Sequence, residues 1–143
     1  MARAARFFLP MIALLLAACS EPAMHADAVD VCNGGTCKAT VEVQSCEDGK
    51  LLVHPDPIPV PAPNNIEWTI STGDFKFPEN GIVVDGSGFT DPQVTGNGKK
   101  FTVHDDHTDK GSWILHRIKY TVRVVRELDG VACAPNDPFI KNQ

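Results

Sequence analysis

The densest set of chemically capable side chains in this 143-residue sequence is His104-Asp105-Asp106-His107, followed by Thr108 and Asp109. Imidazoles and carboxylates this close are the donor types of a Zn²⁺ or Cu²⁺ site, with His104 and His107 as ligands and His116 or His54 recruited from another strand. The bland alternative is a solvated turn, because Asp and His are good turn residues and His104 keeps the parity of exposed Thr102. His116 keeps the parity of Ile118, which makes it a core or rim histidine. Asp105 and Asp106 are adjacent, and an extended chain sends adjacent side chains to opposite faces instead of pairing them for acid–base work. There is no Gly-x-Ser-x-Gly elbow and no His-Glu-x-x-His helix. Asp85-Gly86-Ser87-Gly88 lacks the lysine of a phosphate-binding loop. The expectation is a protein that is not an enzyme and that needs no cofactor.

Cysteine is the other reactive type, at positions 19, 32, 37, 46 and 133. Redox catalysis would want Cys-x-x-Cys, which is absent, and Cys32-x4-Cys37 is not the usual zinc knuckle. Leaving Cys19 aside, an even set of four reads as two disulfides in an oxidising compartment, with three possible connectivities. The short Cys-Asn-Gly-Gly-Thr-Cys loop favours Cys32–Cys37, and therefore Cys46–Cys133.

Cys19 stands apart because of what precedes it. Arg3 and Arg6 make a positive start, Phe7 to Leu16 form a short apolar run, and Ala17-Ala18 lead into the cysteine. The run is shorter than the roughly 20 residues of a membrane span. The quartet Leu16-Ala17-Ala18-Cys19 resembles the lipobox of bacterial lipoproteins. That resemblance implies a signal peptide over residues 1–18, cleavage before Cys19, and acyl chains on the Cys19 thiol and freed amine. Two or three chains suffice for stable membrane attachment, whereas one is marginal. Ser20, where the family uses Asp for inner-membrane retention, implies the outer membrane. Residues 19–31 then serve as the lipidated cysteine and a flexible tether.

Removing Arg3 and Arg6 leaves 11 of the 13 basic residues against 18 acidic ones. An acidic domain of this kind does not suit nucleic acid or an anionic surface, which select clustered Lys and Arg.

The elements that must position these residues show period two. Ala39, Val41 and Val43 alternate with polar neighbours; so do Ile66, Trp68 and Ile70, then Phe101 and Val103. The clearest strand runs from Ile114 to Val124, with Ile118, Tyr120, Val122 and Val124 inward. Prolines at 55, 57, 59, 61 and 63 put every missing N–H on one edge, which permits an edge strand and forbids a central one. Asp85 to Lys100 reads as loops, and Val131 to Cys133 as a last short strand. The fold class is all-β, a sandwich of about seven strands over residues 32–143.

The succession Ile66-Glu67-Trp68-Thr69-Ile70, Phe75-Lys76-Phe77, Gly81-Ile82, Tyr120-Thr121-Val122 and Asp137 to Asn142 resembles small exported sandwiches of cupredoxin-like or immunoglobulin-like type. It implies a Greek-key arrangement. It implies no blue-copper centre, because no His follows Cys133 and no Met follows Met24. The function expected is a lipid-anchored binding or structural module of the cell envelope with an envelope partner. The alternatives are a metal-binding protein using His104 and His107, and an inhibitor or immunity-type lipoprotein.

Overall fold

A computed structural model describes residues 31–111 and 117–143. The leader, Cys19, the tether as far as Asp30, and His116 with the start of the strand expected from Ile114 lie outside these residues.

The chain is nearly all β. Twelve strands are present among the described residues: β1 (Cys32–Asn33), β2 (Thr36–Ser45), β3 (Lys50–His54), β4 (Ile58–Val60), β5 (Asn64–Ile70), β6 (Phe75–Lys76), β7 (Ile82–Val84), β8 (Phe89–Thr95), β9 (Lys100–Asp105), β10 (Ile118–Val122), β11 (Val125–Arg126) and β12 (Phe139–Asn142). The larger sheet runs β1-β2-β5-β9-β8, with β3 also on β2; the second runs β4-β12-β10-β7; β6 and β11 form a short pair. Both main sheets are mixed, since β2 pairs with β5 and β4 with β12 in parallel.

Alternation decides which face of each strand is inside. In β2, Cys37, Ala39, Val41 and Val43 are buried and the residues between them are exposed. Ile66, Trp68 and Ile70 of β5 and Phe101 and Val103 of β9 continue that inner face. Ile58, Val60, Ile118, Tyr120, Val122 and Ile140 supply the opposing side of the same core. Trp68 is the hub: its ring centroid lies 5.3 Å from that of Tyr120 and 6.5 Å, edge-on, from that of Phe101. Burying each such side chain contributes about 1.5–3 kcal/mol, and each aromatic pair about 1 kcal/mol more.

Two disulfides close the framework, Cys32–Cys37 and Cys46–Cys133. The first joins directly opposed residues of β1 and β2. The second ties the turn after β2 to the segment after β11, across 87 residues.

The structure corrects the expected layout in three places. Asp85 to Lys100 is not all loop, because β8 pairs with β9 along its length. β8 has hardly any burial and contains Pro92, so it carries no apolar alternation to detect. Val131 to Cys133 is not a strand; it makes only an isolated bridge from Ala132 to Val125. Of the proline-rich segment, only Ile58–Val60 is a strand, and it does lie at a sheet edge. The Gln143 N–H donates to the Val60 carbonyl at 2.9 Å. Even-numbered residues therefore face β12, and the nitrogen of Pro59 faces away from it.

Candidate functional site

The polar constellation at residues 104–109 begins inside a strand. His104 and Asp105 are the last residues of β9, where His104 sits on the outer face and Asp105 on the inner face. The solvated-turn reading holds for Asp106 onward and fails for Asp105, which is fully buried. The signal was the parity of Phe101, Val103 and Asp105: the inward series simply continues into a carboxylate.

Asp105 Oδ1 accepts the His107 backbone N–H at 2.8 Å and faces the Asn142 side-chain amide at 3.5 Å. Asp105 Oδ2 and Asn142 Oδ1 are buried with no hydrogen-bond partner among the described residues. Burial pushes the Asp105 carboxyl above its ordinary value, against the lowering pull of the His107 N–H and the Asn142 amide. Asn142 Nδ2 also donates to the Asp109 carbonyl at 2.7 Å, so the end of β12 holds the loop that follows β9.

That loop is built from aspartate side chains bonded to backbone two residues on, the usual reason Asp favours turns. Asp106 Oδ1 accepts from the Thr108 N–H at 2.9 Å and the Thr108 hydroxyl at 2.7 Å, and these bonds hold its carboxyl below the usual range. Asp109 Oδ1 accepts from Gly111 N at 2.7 Å, and its Oδ2 from Ser87 N at 3.0 Å. Gly88 lies against Asp106 with φ +77°, and a Cβ there would sit 2.0 Å from Asp106 Oδ1. Three of the carboxylates are thus occupied in shaping the loop.

His107 is occupied too. Its backbone is left-handed at φ +62°. Its Nε2 lies 3.0 Å from the Val60 carbonyl and its Nδ1 2.8 Å from Lys110 Nζ. A carbonyl only accepts and an ammonium only donates, so Nε2 carries the proton and the Nδ1 lone pair is taken. His107 therefore offers a metal no nitrogen unless it gives up Lys110, and His104, the other expected ligand, sits on the outer face of β9. Among the described residues, no group of three or more His, Cys, Asp or Glu side chains is placed to hold a metal ion. His54 is exposed at the end of β3, opposite Thr40 and three strands from β9.

On the outer face, His104 has a different setting. Its Nδ1 lies 3.0 Å from Asn65 Oδ1. The amide oxygen accepts, so Nδ1 carries the proton and the Nε2 lone pair is turned away from Asn65. Asn65, Asp91, Gln93, Thr102 and His104 line an open groove of about 400 Å³. Asp91 and Pro92 oppose the single residue Val103, a bulge between the register pairs Thr90–His104 and Gln93–Thr102. Asp91 takes φ +54° there. Parity alone would turn position 91 or 92 to the inner face with Val103; at the bulge Asp91 is exposed and lines the groove instead. The sequence reading missed Asp91 and Gln93, because a bulge in an exposed edge strand leaves no hydrophobic signal, and Asn65, a polar outer-face residue of β5 with no motif around it.

No protein-family model matches this chain, and no curated protein matches it either.

Proposed function

We propose that this chain is a lipoprotein of a bacterial cell envelope, acylated at Cys19, attached to the outer membrane and acting as a non-catalytic binding or structural module. The observation that carries the reading is Leu16-Ala17-Ala18-Cys19 behind a basic and apolar leader. The paired cysteines support it, since disulfides persist in the oxidising space that such a leader reaches. In this reading the β domain is a Greek-key sandwich of cupredoxin-like or immunoglobulin-like type. The carboxylates near His104 serve backbone groups, which favours binding over catalysis.

The test is metabolic labelling with an alkyne palmitate analogue, followed by fractionation of inner and outer membranes. The expected result is label on the chain in the outer-membrane fraction, lost in Cys19→Ser. An unlabelled chain in the soluble fraction would overturn it. The acidic balance of the domain keeps an inhibitor or immunity role as a second reading within the same class. A basic envelope protein captured by the wild-type chain would select it.

A further inference from the structure

The groove on the outer face of β8, β9 and β5 is polar on every side that its lining residues provide. His104 Nε2 and the Asp91 carboxylate are acceptors; the amides of Asn65 and Gln93 and the Thr102 hydroxyl supply donors as well. None of the described residues lining it is a lysine or arginine, and one is an aspartate, so an anionic ligand would meet repulsion there with no compensating cation among them. Only two of its groups, His104 and Asp91, are strong metal donors, which is too few for a closed site.

Two structural investments aim groups into this groove. The amide of Asn65 fixes the His104 ring so that its acceptor nitrogen is exposed. The bulge at Asp91-Pro92, with a non-glycine residue in the left-handed region, places Asp91 in the lining of the groove where strand parity would turn one of the two residues inward. Such backbone costs about 1 kcal/mol or more, and bulges are over-represented at sheet edges and beside functional sites.

We infer that this groove binds a neutral polyhydroxylated ligand, the chemistry of an uncharged saccharide chain. A sugar hydroxyl both donates and accepts, and adjacent hydroxyls present the paired geometry that a carboxylate, an amide and an imidazole acceptor satisfy together. None of the described lining residues is aromatic, so no ring among them stacks on a sugar face and binding through them is weak. The inference rests on the reading of the chain as a binding module and names the ligand class of one site on it.

The test uses the ¹⁵N-labelled full chain in a detergent without sugar headgroups, titrated separately with maltotriose, cellotriose and chitotriose. The expected result is a saturable shift of the Asn65 and Gln93 side-chain amides and of His104 with at least one of the three. Affinity should fall at least tenfold in His104→Ala and in Gln93→Ala, both on the outer face, with the rest of the spectrum unchanged. No shift with any of the three, or shifts scattered over the domain, overturns the inference. So does Zn²⁺ moving these resonances at micromolar concentration while the sugars do not. Acylation at Cys19 is read independently, so a failed palmitate label with intact sugar binding would remove the anchor and leave the groove.

Discussion

Asp105 and Asn142 meet inside the protein at the ends of β9 and β12, each with one buried oxygen that no described residue satisfies. The folded state holds the Asp105 proton more tightly than an unfolded chain, whose aspartate has the ordinary value of 3.8. The stability linked to that proton is present in full below the unfolded value and is lost as pH rises through the folded one. Asp105→Asn keeps an acceptor for the His107 N–H and cannot ionise. Its stability relative to wild type should therefore increase between about pH 4 and about pH 8. Urea denaturation at both pH values measures it, and a constant or shrinking difference would contradict the account.

Tyr120 carries a buried hydroxyl without a partner among the described residues, and the same desolvation pushes its ionisation well above the ordinary range. Tyr120→Phe removes that hydroxyl and keeps the ring against Trp68. It should be at least as stable as wild type, whereas Trp68→Ala should lose about 3–5 kcal/mol. Paired thermal and urea melts distinguish the two.

The disulfides close loops of very different length. In the chain-entropy picture, removing Cys46–Cys133 by double serine substitution costs about 4–5 kcal/mol, and removing Cys32–Cys37 about 2 kcal/mol. Equal losses, measured by urea denaturation, would show that native-state contacts and not loop entropy dominate.

Gly88 is the contact between the β7–β8 connection and the Asp106 turn. Gly88→Ala places a methyl group on Asp106 and asks an alanine to hold a positive φ. The expected loss is about 2 kcal/mol, with faster hydrogen exchange at Asp106 N–H, which donates to the Gly88 carbonyl. Gly130 has an open setting at φ +69°, and its alanine variant isolates the backbone part of the cost.

Strands buried on one face were legible because burial imposes period two: β2, β5 and β10 could be read from their valines, isoleucines and aromatics. The cysteine count likewise restricted the covalent framework to three connectivities. Strand partners were not legible, since the parity that buries Val41 or Val60 is satisfied equally by parallel and antiparallel neighbours. β8 escaped because Asp91, Pro92 and Gln93 bury nothing. Asp105 shows a third cause: its position continued an inward series, and its residue type argued for a turn. The loop beyond it does turn, anchored on Asn142, 37 residues away.

The run of alternating prolines has a consequence for crowding. Where many copies share a small volume, the danger for any β protein is that exposed strands zip onto one another and grow into fibrils. Along β4 a second chain would find Pro59, with Pro57 and Pro61 beside it, offering no N–H to zip onto. Along β8 it would find a register broken at Asp91-Pro92. Growth by strand addition is thus arrested at one margin of each main sheet, so this domain can be packed densely without polymerising through those margins.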